Sequence, residues 1–147
     1  MTGAEIALIA LTLNVYEEAR SESLHGQQAV ADVTINRVID KRWPDTIESV
    51  VLQRRQFSWV GAAGIKTSWE LVEYQQRLLD TMNNNEIELN AYRQAEAVAR
   101  KALTTGYKPR YTFTHYHEKS LKLVWTQGHT KSLTIGTHKF YNVPRTY

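Results

Sequence analysis

The sequence predicts an α+β domain in which helix dominates, on three observations. Apolar residues recur at helical spacing through the first two-thirds of the chain. From Tyr111 the period changes to the alternation of a strand. No linker, internal repeat or low-complexity tract divides the 147 residues, which suffice for one domain with a real core and are too few for two. The expected architecture is therefore residues 1–147 as one domain, mainly helical, with a small C-terminal antiparallel hairpin or sheet laid against the helices.

Each element has its own signal. Ile6, Ile9 and Leu13 form one stripe and Leu8, Leu11 and Val15 a second, so the first helix is apolar nearly all round and belongs at the centre. A break is expected at Ser21 to Gly26. A second helix should run from about His25 to Ile39, with Ala29, Val30, Val33 and Val38 inward. Trp43-Pro44 ends that unit, and Asp45 with Glu48 three residues on reads as a capping box for a short helix ending near Gln53. Phe57 to Lys66, with Gly61 and Gly64, reads as loop. Thr67 and Glu70 predict a capped helix over 68–82, stopped by Asn83-Asn84-Asn85. The next helix is expected over 88–104, with Gly106 at its end and Pro109 beyond. Tyr111 to His117, Leu121 to Trp125 and His138 to Val143 are the candidate strands.

Composition excludes several function classes. Without cysteine there is no disulfide, thiolate nucleophile or cysteine-zinc site. No apolar run approaches the ~20 residues of a membrane-spanning helix, so stable membrane insertion is not expected. The apolar N-terminus lacks a basic leader and carries Glu5, so it reads as part of the fold and not as a signal peptide. The chain is therefore expected to be made in the cytoplasm and delivered by other means to its place of action. A net charge of +3 and a pI near 9.2 favour anionic partners. No nucleotide-binding or nucleophile-elbow motif is present, and the Arg54-Arg55 pair reads as surface, not as a nucleic-acid site.

Three constellations can carry chemistry. The first is the stretch VYEEARSES, residues 15–23. Glu18 and Glu22 are four apart and would share a helix face, while Glu17 points elsewhere. Either all three are solvated at a fraying helix end, or one is partly buried, its pKa raised, and able to donate a proton near neutrality. The second is His115-Tyr116-His117, whose histidines would project from one face of a strand. With His138 they could hold zinc, which would make the chain an amidase, although hydrogen bonding is the commoner use of such residues. The third is a surplus of aromatics, Trp43, Phe57, Trp59, Trp69, Tyr111, Tyr116, Trp125, Phe140 and Tyr141 among them. They could stack on sugar faces or simply fill the core.

Five blocks then stand in a recognisable order: Tyr16-Glu17-Glu18-Ala19-Arg20-Ser21-Glu22; Gly26-Gln27-Gln28-Ala29-Val30; Val33-Thr34-Ile35-Asn36-Arg37-Val38; Trp43 to Val50 with Gln56-Phe57-Ser58; and Thr114 to His117 with Trp125 and Ile135 to Tyr141. Together they resemble the SleB-type cell-wall hydrolases, a group that includes spore-cortex-lytic enzymes and some phage endolysins. The resemblance implies a lysozyme-like or lytic-transglycosylase-like fold and an enzyme that cuts the β-1,4 bond of peptidoglycan glycan strands. It implies Glu18 as the catalytic acid, matching the first glutamate of an E-A-R-G-E motif, with Glu22 and Arg20 as supports. Phe57, Ser58, Tyr111, His115, His117 and Trp125 are the implied glycan-binding residues. No metal or cofactor is expected, and the enzyme is expected to act as a monomer on the wall. Glu17 and Ser21 depart from the glycines common in the family, and His117 stands where spore-enzyme relatives tend to carry asparagine.

The chemistry narrows this further. Hydrolysis needs a second carboxylate, whereas a lytic transglycosylase reuses one acid and lets the muramyl 6-hydroxyl attack. Glu22 alone has a motif-level claim to be that second acid, and the break at Ser21 weighs against it. The expectation is a lytic transglycosylase in the setting of a phage endolysin that lyses its host. The alternatives are a two-carboxylate muramidase, the zinc amidase, and a basic wall-binding module that grips glycan without cutting it.

Overall fold

The computed structural model describes residues 1–120 and 132–143. Helix α1 spans Gly3–Ala19 and opens with a full capping box, Thr2 accepting from Glu5 N–H while the Glu5 carboxylate takes the Thr2 N–H. Its residues from Ile9 to Tyr16 are all buried, because α2, α3, α5 and α6 pack around it. This is the central helix that the doubled apolar stripe predicts.

Helix α2 (Leu24–Ile39) is capped by Ser23 and falls where the sequence places it. Helix α3 (Ile47–Leu52) takes its cap from Thr46, one residue after the expected Asp45, since it is the Thr46 hydroxyl that accepts from Ser49 N–H. Helix α4 (Ser58–Ala62) occupies part of the span expected as loop. It is a five-residue turn without a side-chain cap. Tertiary contact holds it: Trp59 is buried and its indole N–H donates to Asn14 Oδ1 of α1 at 2.9 Å. Helix α5 (Ser68–Thr81) starts after the Thr67 cap as expected. Helix α6 (Glu86–Ala102) begins two residues before the expected start, at the Asn85 cap. Gly106 follows it at φ +85°, a left-handed position that favours glycine.

Three strands form one antiparallel sheet in the order β1-β3-β2: β1 (His115–Glu118), β2 (Leu133–Ile135) and β3 (His138–Tyr141). Strand β1 begins four residues later than the alternation from Tyr111 suggests. Its missing half is claimed by α2 side chains. Asn36 Nδ2 donates to the carbonyls of Tyr111 (2.8 Å) and Phe113 (2.9 Å), and Arg37 Nε to that of Thr114 (2.7 Å). Carbonyls satisfied in this way are withdrawn from a ladder. Strand β3 likewise stops at Tyr141, short of Val143, because the Asn142 side chain accepts from Thr114 N–H. The short strand β2 has no counterpart among the expected strands, and the Leu121–Trp125 run lies outside the described residues. Phe140 and Ile135 join the helical core, so the sheet closes one end of the bundle near the last turn of α1.

Candidate active site

Glu18 ends the buried face of α1, one turn beyond Asn14. Because Asn14 and Glu18 share that face, one hydroxyl can reach both. Tyr116 of β1 supplies it: its O–H donates to Glu18 Oε1 at 3.2 Å and also lies in hydrogen-bonding reach of Asn14. Phe57, the residue just before α4, stacks on the Tyr116 ring with centroids 6.4 Å apart. These groups open into a cleft of about 830 Å³, with Arg54, Arg55, Ser58, His117, Glu118 and His138 along its walls.

The cleft sets the charge state of Glu18. Burial pushes its pKa above the ordinary carboxylate value, and neighbouring Glu17 adds to the rise. The Tyr116 hydrogen bond and the Arg37 guanidinium pull the other way without cancelling it. Tyr116 is itself held neutral, its pKa raised well above the usual phenol by burial and by Glu18, so it remains a donor.

Arg37 is a buried cation outside the acids, histidines and aromatics that the sequence singles out. It is 5% exposed and lies against the Phe57 and Trp43 rings. Besides the Thr114 carbonyl it reaches Gln56 Oε1 at 3.2 Å. One side chain thereby joins α2, the segment before α4 and the start of β1. Its signal was the Asn36-Arg37 pair near the end of an otherwise apolar helix face.

Glu22 does not continue the Glu18 face. The helix ends at Ala19, and the Glu22 carboxylate turns to the β2–β3 turn. Oε1 accepts from Thr137 N–H (2.8 Å) and Thr137 Oγ1 (3.0 Å) and lies 3.3 Å from His138 Nδ1. Burial works against its ionisation, but these donors outweigh it and hold the carboxyl below its ordinary pKa. Gly136 is required beside it: its φ is +58°, and a Cβ there would sit 2.5 Å from Glu22 Oε1. His138 in turn meets the Tyr116 ring edge-on at 5.3 Å. Glu22 thus connects to Glu18 only at one remove, through the turn, His138 and Tyr116.

The other expected residues divide. Phe57, Ser58 and His117 line the cleft with Glu18. Arg20 does not meet Glu22; it lies over the Tyr16 ring and 3.8 Å from Glu88. Tyr111 is outside the cleft lining, its hydroxyl 3.3 Å from His25 Nε2. His115 packs between Trp43 and Tyr141, where burial, then Arg37 and Arg42, push its pKa down to about 4. Trp125 lies outside the described residues. Glu17 accepts from the Tyr74 hydroxyl at 2.9 Å, which ties the last turn of α1 to α5.

The three histidines of the amidase alternative do not converge. The register pairs His117 with Lys139 and Glu118 with His138. His115 and His117 therefore share one face of the sheet with Tyr141, while His138 shares the other with Tyr116 and Phe140. Among the described residues no three His, Asp or Glu side chains are placed to hold a metal ion.

The cell wall hydrolase family matches residues 21–141. The chain belongs to that family. Relatives of this cell wall hydrolase extend the assignment. Forty-six residues are 46% identical to the spore cortex-lytic enzyme of Oceanobacillus iheyensis, and this covers 31% of the chain but only 17% of that longer protein. The catalytic domain of the germination-specific lytic transglycosylase SleB from Bacillus anthracis is 24% identical over 92% of this chain and 93% of its own, with a TM-score of 0.59. The catalytic domain of the Bacillus cereus SleB protein is 26% identical over 95% of this chain and 90% of its own, with a TM-score of 0.55. The SleB-type resemblance and the mainly helical fold with a small antiparallel sheet are thus established. The family match starts three residues after Glu18, so the candidacy of that residue rests on geometry.

Proposed function

We propose that this cell wall hydrolase cuts the β-1,4 bond between MurNAc and GlcNAc in peptidoglycan strands as a lytic transglycosylase, with Glu18 as its acid. The observation that carries the reading is a carboxyl held partly buried on a cleft wall, its pKa raised, with one neutral donor fixing its orientation. Protonated Glu18 gives its proton to the leaving glycosidic oxygen as oxocarbenium character develops. The resulting carboxylate then takes the proton of the muramyl 6-hydroxyl as that oxygen closes on C1. The product is a 1,6-anhydro sugar, and Glu18 is protonated again. Tyr116 holds the carboxyl in place through both transfers. Phe57 and Ser58 offer an aromatic edge and a hydroxyl to the sugars, and we assign them, with His117 on the same cleft wall, to the glycan groove. Relatives described as lytic transglycosylase and spore cortex-lytic enzyme support the reading.

One observation favours a second reading. Glu22 is committed to its turn, but Glu118, which spacing did not single out, lines the same cleft as Glu18. A two-carboxylate muramidase could use it to activate water. Mass spectrometry of digested peptidoglycan decides: anhydro ends in the wild type, and no cutting by Glu18→Gln, support the transglycosylase. Reducing ends that vanish in Glu118→Gln would replace it with the muramidase. Undiminished cutting by Glu18→Gln would sink the site.

The setting belongs to the same proposal. We infer a phage endolysin acting on a host wall as a monomer and a single catalytic domain. A net charge of +3 supports accumulation on an anionic envelope. Lysis of Gram-negative cells that express the chain together with a membrane-permeabilising protein, and no lysis with Glu18→Gln, is the expected outcome. Survival of cells expressing the wild type would remove that setting.

A further inference from the structure

Beside the cleft lies a second cavity of about 470 Å³, and the two share Arg54, Arg55, Phe57 and Gly61 in their walls. They are adjoining chambers. The floor of the second is apolar, made by Leu52, Val60 and Ile65, and its rim carries Arg54, Arg55 and Lys66. No aspartate or glutamate lines it. The three cations are exposed, and among the described residues none of them forms an ion pair. Glu70, nearby in sequence, is occupied at the start of α5, where it accepts from Lys66 N–H and the Thr67 hydroxyl. Arg55 is held at φ +66°, a conformation that a side chain with a Cβ adopts at a cost, so the direction of this rim is imposed by the turn between α3 and α4.

An apolar floor under an unpaired cationic rim fits a ligand that alternates methyl-sized side chains with carboxylates. The glycan itself has no such pattern, since its sugars are neutral apart from what they carry. The peptide stem attached to the muramyl lactyl group does. We propose that this chamber receives the peptide stem, with Arg54, Arg55 and Lys66 pairing its carboxylates while the sugars lie against Phe57 and Glu18. The inference rests on the glycan-cutting reading of the cleft and adds a second determinant to it: the enzyme reads the branch as well as the strand. Guanidinium-to-carboxylate pairing at a half-enclosed rim is the interaction expected to discriminate.

The test has two arms. In the first, free alanyl-glutamyl-diaminopimelyl-alanine is titrated calorimetrically into Glu18→Gln and into the same protein carrying Arg54→Gln and Lys66→Gln. Affinity should fall by about tenfold in the latter, the scale of one or two charge-assisted hydrogen bonds. The peptide with amidated carboxylates should bind both proteins alike. Equal affinity of the acidic peptide for both proteins, or an equal loss of inorganic polyphosphate binding, would overturn the proposal. In the second arm, the ratio of kcat/KM on stem-bearing strands to that on stem-free strands is compared for wild type and Arg54→Gln/Lys66→Gln. The ratio should collapse toward one in the variant, through KM. An unchanged ratio with both substrates cut would sink the stem chamber and leave the glycosidase reading standing. Discriminating peptide binding with no cutting of either strand by the wild type would do the reverse. Matching melting curves establish that the variants are folded.

Discussion

At the residue scale, Glu18 is distinguished from its neighbours by surroundings and not by type. Its raised pKa means that the folded protein holds the proton more tightly than the unfolded chain does. The associated stability is therefore fully present below the ordinary carboxylate range and is lost as pH rises through the folded value. Glu18→Gln should accordingly melt higher than wild type at pH 7 and nearly equal to it at acidic pH. Each kcal/mol relieved is worth about 2–4 °C in a chain of this size. The same variant should lose on the order of 10² to 10⁴ in cutting rate, the usual weight of a positioned acid. Tyr116→Phe removes the hydrogen bond that lowers the Glu18 pKa, so the alkaline limb of the pH–rate profile should move to higher pH while the maximum rate falls. A limb that stays in place would show that another group sets it. Glu22 has the opposite sign. Its pKa is lowered, so its contribution is present at neutral pH and is lost as pH falls through its folded value.

At the scale of elements, the turn between β2 and β3 is where sequence and geometry interlock. Gly136→Ala forces a left-handed φ on a side chain and drives a Cβ into the Glu22 carboxylate. It should destabilise by about 1–3 kcal/mol, the range of a strained backbone position. Glu22→Ala relieves the collision but leaves the strain, so the double variant should cost less than the sum of the singles in denaturant titrations. Helix caps are set by local chemistry. Thr67 was legible because Thr and Glu three apart before an apolar run satisfy a helix start in only one way, and Thr67→Ala should cost about 1 kcal/mol. Spacing pointed to Asp45, with Glu48 three residues on, but the hydroxyl of Thr46 took the cap position by accepting from Ser49 N–H. Helix α4 left no local signal, since a buried indole bonded to a distant asparagine holds it. The shortened β1 is the same lesson, its carbonyls taken by Asn36 and Arg37 from another element.

At the scale of the whole molecule, the central α1 delivers Glu18 to a cleft that four other segments complete: the turn before α4, α4 itself, β1 and the start of β3. Arg37 ties α2 to two of them. Arg37→Met should keep the helices but loosen the cleft, seen as a larger loss of cutting than of melting temperature. Loss of both in proportion would make Arg37 simply a core residue. Attraction of a +3 protein to an anionic wall should weaken with added salt, and sedimentation with purified sacculi between about 50 and 300 mM salt, over which the Debye length falls by roughly half, measures it.

The sequence by itself determined the helical bundle, its central helix, the small antiparallel sheet and the family, because hydrophobic period, caps and block order are local or additive signals. It singled out Glu18 through the block in which that residue sits. Only the tertiary structure decided what surrounds Glu18. Tyr116 reaches it from 98 positions away in the chain, and Glu22 reaches Thr137 from 115. The division of the histidines between two faces of the sheet was likewise fixed by strand register. A carboxyl's pKa, a metal's coordination and a cleft's shape all depend on distances between residues far apart in sequence, and those distances exist only once the chain has folded.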